Sequence, residues 1–263
     1  MSSLIWFMLL SCSTLVISTK NSSNSNASQG KSIFILAGQS NMAGRGGLVS
    51  GSWDGYVPPE CQSSRKILRL NAENKWEEAR PPLHHDIDYL KACGIGPGLA
   101  FANSILKKNL NIGEIGLVPC AIGGTQISEW RRGGPLYKQL LSRAHAALQG
   151  GGIIRAILWY QGESDTRCQE DAKLYKTRLT KFFTDIRSDL KLPELPVVQV
   201  ALASAEGPYI DDIRKAQLGI DLPNVKCVDA KGMKIGYDGL HLSTEGEIHV
   251  GQMMADAFVK FIA

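Results

Sequence analysis

The sequence predicts an α/β fold, a three-layer α/β/α sandwich around a parallel sheet of about five strands. Three observations carry this reading. Short apolar runs alternate with longer amphipathic stretches from residue 32 to the C-terminus, the rhythm of strand–helix–strand units. The runs are largely apolar rather than apolar only at every second position, as in parallel strands covered on both faces. The 263 residues, 44% hydrophobic and 21% charged, have the composition of an ordinary globular chain with enough apolar surface for one large core. Disordered, collagen-like and coiled-coil classes are excluded on the same numbers.

Taken in order, residues 1–18 carry no charged side chain and are mostly apolar from Leu4 to Ile17, with Ser11, Cys12, Ser13 and Thr14 breaking the run. The run is too short and too broken for a membrane anchor. Small residues Val16 and Ser18 are spaced for signal cleavage after Ser18, so residues 1–18 read as a secretory signal peptide and the product as secreted and extracellular. Residues 19–30 are rich in Ser and Asn, with no apolar side chain able to offset ordering, and read as a disordered leader. Two glycosylation sequons lie there, at Asn21 and Asn26. Residues 31–263 read as a single domain. Its strands are expected at 33–36, 115–118, 153–160, 197–202 and 225–228, and its helices near 98–108, 136–148, 169–190, 210–220 and 244–261. Between strand one and the first helix, residues 44–93 break the rhythm with prolines at 58, 59, 81 and 82 and one short apolar strand at 66–70. A connection this long inside a compact domain is usually a cover or a binding surface.

The formal charge of +4 is spread without basic blocks, so nucleic acid is not suggested as a partner. Beyond Cys12 five cysteines remain, Cys61, Cys93, Cys120, Cys168 and Cys227, an odd number without metal-ligand spacing. Cys120 and Cys227 read as buried small hydrophobes; a disulfide would draw on Cys61, Cys93 or Cys168.

Four polar segments fall at strand ends or helix starts, where open α/β sheets form their ligand crevice. Gly38-Gln39-Ser40-Asn41-Met42-Ala43-Gly44 follows strand one. Ser40 is there a candidate nucleophile or, equally, a turn or capping serine. Of the 5 histidines, His145 and His249 lie within amphipathic helical patterns. His241, in Asp238-Gly239-Leu240-His241-Leu242-Ser243 before the last helix, lies on a loop. A turn through Gly239 could set the Asp238 carboxylate on one ring nitrogen and leave the other for Ser40, the logic of a catalytic triad, although the same segment also reads as a capped helix start. Cys120-Ala121-Ile122-Gly123-Gly124-Thr125 follows the second strand and offers backbone N–H groups at glycine. Trp159-Tyr160-Gln161-Gly162-Glu163-Ser164-Asp165 follows the third and offers the Gln161 amide, with Glu163 and Asp165 as polar loop groups.

With these four blocks in view, the chain resembles the SGNH-hydrolase superfamily from residue 32 to 263, and within it the plant carbohydrate esterase and sialate O-acetylesterase-like branch grouped as carbohydrate esterase family six. The resemblance implies a flavodoxin-like fold and hydrolysis of O-acetyl groups on carbohydrate, with no metal and no cofactor. It implies a triad of Ser40, Asp238 and His241. It also implies an oxyanion hole from the backbone of Ser40, a glycine of the second block, taken as Gly124, and Gln161 in place of the superfamily's asparagine. Glu163 is a possible supporting residue, orienting the loop or His241, or else a buried structural carboxylate. Cell-wall polysaccharide and sialate-like acetyl esters are the expected substrates. A lipid or small-ester hydrolase and a non-catalytic sugar-binding protein are the alternatives; the polar, glycine- and proline-rich 44–93 segment disfavours the first, and intact triad blocks disfavour the second. The run His84-His85-Asp86-Ile87-Asp88 lacks the third cluster a metal would need and reads as a solvated loop or a wall of the sugar pocket. Trp53, Trp76 and Trp130 read first as packing residues.

Overall fold

The computed structural model describes residues 30–108 and 111–262. The signal, leader and sequon readings, with Cys12, lie outside the described residues apart from Gly30. Strand β1 (Ser32–Gly38) is followed by the single turn α1 (Ser40–Ala43), a small hairpin of β2 (Leu48–Val49) and β3 (Ser52–Trp53), then β4 (Ile67–Leu70) and β5 (Trp76–Glu78). The remainder alternates: α2 (Pro97–Lys107), β6 (Ile115–Pro119), α3 (Pro135–Leu148), β7 (Ile153–Tyr160), α4 (Gln169–Leu190), β8 (Val197–Ala201), α5 (Ile210–Leu218), β9 (Val225–Asp229) and α6 (Thr244–Ile262).

The sheet has seven strands in the order β5-β4-β6-β1-β7-β8-β9, all parallel except β5. The expectation of about five strands therefore falls short by two. Both additions come from the 44–93 segment: β4, the short strand expected at 66–70, joins the sheet parallel to β6, and β5 closes the edge antiparallel to β4. The five expected strands are contiguous, from β6 to the edge strand β9, in the order 2-1-3-4-5 of doubly wound flavodoxin-like sheets.

Every residue of β1 is buried, because helices cover both faces. On one face Phe34 meets Phe101 of α2 and Phe258 of α6 edge to face, each at 4.9 Å between ring centres. On the other, Trp159 of β7 packs against Phe182 and Phe183 of α4, with Trp130 edge-on at 5.2 Å. Aromatic pairs of this kind add specific geometry to a large apolar burial. They also fix function at a distance. Phe258 anchors the last helix under the central strand, so the loop entering α6 comes back over the carboxyl end of β1.

That end is where the winding reverses, and the crevice of an open α/β sheet lies at such a point. Gly38 has φ of +128°, and a Cβ there would stand 2.1 Å from the Tyr160 carbonyl oxygen, so only glycine lets β1 and β7 meet this closely. Gln39 N–H then donates to that same carbonyl at 2.8 Å, which turns the chain abruptly into α1 with Ser40 as its first residue.

Candidate active site

Ser40 lies 4% exposed at the first position of the α1 turn, where N–H groups have no intrahelical acceptor. Its hydroxyl is 2.9 Å from His241 Nε2. The other ring nitrogen, Nδ1, lies 2.5 Å from Asp238 Oδ2. A carboxylate only accepts, so Nδ1 carries the hydrogen and Nε2 is left to accept from the Ser40 hydroxyl. Asp238 Oδ1 accepts the backbone N–H groups of Leu240 and His241, both at 2.9 Å, so three donors hold one carboxylate in place. Partial burial pushes the Asp238 carboxyl up, but the His241 ring and the two backbone N–H groups outweigh it and hold it below the usual carboxylate range.

The rest of the loop is fastened independently. Gly236 N–H donates to the His241 carbonyl at 2.7 Å, and Ser243 Oγ accepts Gly246 N–H, capping α6. Asn41, directly after Ser40, receives the Leu242 N–H on its Oδ1 at 3.0 Å and donates from Nδ2 to Glu163 Oε1 at 2.6 Å. Glu163 thus reaches the histidine loop through Asn41, without a hydrogen bond to His241 itself. Burial raises its carboxyl from 4.5 to about 7, against the lowering effect of the Asn41 hydrogen bond, and its Oε2 has no hydrogen-bond partner.

A carboxyl raised on folding stabilises the folded state fully below its unfolded value, and that contribution is lost as pH rises through the folded value. The Glu163 shift corresponds to about 3 kcal/mol over this interval. Glu163→Gln keeps an acceptor for Asn41 and removes the titration. Its stability relative to wild type is expected to rise by about 3 kcal/mol between pH 4.5 and pH 8, read from urea midpoints across pH; parallel curves would contradict the assignment.

Gln161 does not serve as expected. Its side chain is fully buried, and Nε2 donates to the Thr125 carbonyl at 2.9 Å and to Asp165 Oδ2 at 2.6 Å. Its Oε1 accepts from the Tyr175 hydroxyl at 3.1 Å. Both amide hydrogens are committed, leaving none for an oxyanion; Gln161 ties the third block to the second. Asp165 completes that tie by accepting Ile127 N–H at 3.0 Å, and burial raises its carboxyl to about 7. Gly124 is exposed, with φ of +72°, and donates to no protein acceptor among the described residues. The N–H of its neighbour Gly123 is taken by Asp88 Oδ2 at 3.1 Å.

The His84-to-Asp88 run is neither a solvated loop nor a simple pocket wall. His84 is wholly buried, and burial depresses its imidazole to about 3. Asp86 forms a two-pronged pair with Arg69. Asp88 pairs with the buried Arg45 that follows the α1 turn. Among the described residues, no group of three or more His, Cys, Asp or Glu side chains is placed to hold a metal ion, and Cys61, Cys93, Cys120, Cys168 and Cys227 are unpaired. Trp130 is a core residue, with its Nε1 donating to Thr125 Oγ1 at 3.1 Å.

Beside the histidine loop opens a cavity of about 1350 Å³, walled by the β2–β3 hairpin with Val49 and Asp54, by Lys91, and by Lys234, Tyr237 and His241. Tyr237 is fully exposed at its rim. No helix among the described residues is long and apolar enough to cross a membrane.

A serine hydroxyl on an imidazole nitrogen, with the other ring nitrogen on a carboxylate, is an arrangement suited to acyl transfer. A family model for carbohydrate esterases, the sialic acid-specific acetylesterases, matches residues 30–260. The chain belongs to this family. It is thus a carboxylic ester hydrolase of the acetylesterase kind. The esterase is 50% identical over 235 residues to an Arabidopsis thaliana protein named probable carbohydrate esterase, covering 87% of this chain and 90% of that one. The crystal structure of a protein from the same Arabidopsis locus has a TM-score of 0.87 at 48% identity, over 89% of the esterase and 100% of its own chain. NanS shares the fold, with a TM-score of 0.72 at 17% identity over 89% of the esterase and 98% of NanS.

The sequence assigns no individual role to Asn41, Arg45 or Lys91, and it offers Asp88 only as part of a solvated loop or pocket wall; the esterase brings all four to this site. Asn41 carried a signal, since three consecutive polar residues, Gln39, Ser40 and Asn41, directly follow the apolar run of β1; all three prove buried. The others act on Gly123 and on one another across long stretches of chain and carry no local signature.

Proposed function

We propose that the esterase removes O-acetyl groups from carbohydrate through a Ser40–His241–Asp238 triad and an acetyl-enzyme. His241 Nε2 takes the Ser40 proton as Oγ adds to the acetyl carbonyl, and returns it to the departing sugar hydroxyl. An acetyl group then remains on Oγ. Water repeats the sequence, giving its proton to Nε2 and releasing acetate as the proton goes back to Ser40. The backbone N–H groups of Ser40 and Gly124 are the donors assigned to the oxyanion, without Gln161. The observation that carries this reading is the continuous chain of two hydrogen bonds from Ser40 through His241 to Asp238 in a member of an acetylesterase family.

The groove favours a polymer over a single sugar. Its volume of about 1350 Å³ exceeds the usual range of small-molecule sites, about 300–1000 Å³, and the exposed Tyr237 ring stands at its rim as a stacking platform. We read the substrate as acetylated cell-wall polysaccharide. Acetate release from acetylated xylans, pectins, sialosides and aryl acetates, measured beside Ser40→Ala, tests this. Highest kcat/KM on a polysaccharide supports it, and preference for sialosides or simple aryl esters overturns it.

Residues 1–18 are read as an export signal placing the enzyme outside the cell. The secreted product is expected to begin near Thr19 and to carry glycan on Asn21 or Asn26, as measured by mass spectrometry; an intact Met1 on an intracellular product would overturn that reading.

A further inference from the structure

Gly123 is held from both sides by a single turn of the 44–93 segment. Asp88 and Lys91 close that turn, Lys91 N–H donating to the Asp88 carbonyl at 3.0 Å. The Asp88 carboxylate accepts Gly123 N–H at 3.1 Å, and the Lys91 ammonium donates to the Gly123 carbonyl at 2.5 Å. The cradle is tight: a Cβ on Gly123 would lie 2.6 Å from Arg45 Nη2 and 3.0 Å from Asp88 Oδ2. Arg45, which pairs with Asp88, also donates to the Gly44 carbonyl at 3.0 Å, at the end of the nucleophile turn. The nucleophile turn and the glycine turn are therefore braced through one buried ion pair.

The carbonyl of Gly123 and the N–H of Gly124 belong to one planar trans peptide and point in opposite directions. An ammonium fixed on the carbonyl turns the Gly124 N–H away from Lys91. It also draws electron density along the peptide, since hydrogen bonds linked through one group strengthen each other.

We propose that Lys91 is a positioning residue for catalysis, orienting and polarising the Gly123–Gly124 peptide so that the Gly124 N–H is presented to the oxyanion. This rests on the acyl-transfer reading given above. Lys91 is exposed and lines the groove, so direct contact with an anionic glycan is the competing role.

Turnover of p-nitrophenyl acetate, which offers neither sugar nor charge to bind, separates the two. In Lys91→Met, kcat is expected to fall about 10- to 100-fold, less than or comparable to deleting an oxyanion donor, with KM nearly unchanged and the melting temperature held. Lys91→Arg, which keeps charge and donor, should recover most of the loss. A boronic acid that mimics the tetrahedral intermediate should weaken in Lys91→Met by the same factor as kcat/KM. Unchanged kcat on the aryl ester, a loss confined to KM on acidic glycans, or no recovery in Lys91→Arg would each overturn the proposal. Ser40→Ala run in parallel keeps the two claims apart: if it stays active, the triad reading fails whatever Lys91 does.

Discussion

Ser40→Ala is expected to fold as the wild type does and to lose about 10⁴-fold or more in kcat, leaving only what binding and oxyanion stabilisation provide. In the proposed mechanism the hydroxyl oxygen forms the acyl bond, so its removal deletes the covalent route rather than weakening it. Stability should change little. The hydroxyl's hydrogen-bond partner is His241 Nε2, and a ring nitrogen beside a groove, with the His241 side chain 22% exposed, can turn to water at a cost of about 1 kcal/mol. Acetate release together with thermal unfolding checks both halves. A loss of only a few-fold would remove Ser40 from the reaction.

Asp238→Asn is expected to be the next most damaging change, lowering kcat by about 10³- to 10⁴-fold through the wrong histidine tautomer. The backbone N–H groups of Leu240 and His241 both point at Asp238 Oδ1, so an asparagine there must keep its oxygen on them and turn its NH₂ toward His241 Nδ1. An amide donor facing Nδ1 forces the ring hydrogen onto Nε2, and the Ser40 hydroxyl then has no acceptor. The reverse flip would set NH₂ against two N–H donors and loosen the loop. kcat and KM on an aryl acetate, with the ring tautomer read by nitrogen NMR, check this. Near-normal kcat would mean that Asp238 only fastens the loop.

The central sheet was legible because parallel strands buried on both faces must be apolar at every position, and the SIFILA run of β1 and the IIRAILWY run of β7 satisfy this nearly throughout. β5 was not. As a three-residue edge strand of Trp76, Glu77 and Glu78, it needs no apolar face and carries the charges that edge strands tolerate. At the site, Asp238 and His241 were legible because their link is local, three residues apart through one turn. Ser40 was legible through its place after a buried strand. Gln161 was misread for the complementary reason: its position on a loop at the crevice was correct, but the direction of a side-chain donor depends on acceptors far away in sequence, here Thr125 at 36 residues' separation. Asp88 and Lys91 act on Gly123 from 35 and 32 residues away, and only the folded sheet brings those turns together.

A p-nitrophenyl phosphonate ester tests most directly whether Ser40 is a nucleophile activated by His241. Attack by Oγ on phosphorus expels p-nitrophenolate and leaves a stable phosphonyl serine that mimics the tetrahedral intermediate. The expected result is one equivalent of p-nitrophenol released per active enzyme, a single adduct located on Ser40 by peptide mass spectrometry, and strongly slowed labelling in His241→Ala. An adduct on any other residue, or inactivation without modification of Ser40, would contradict it.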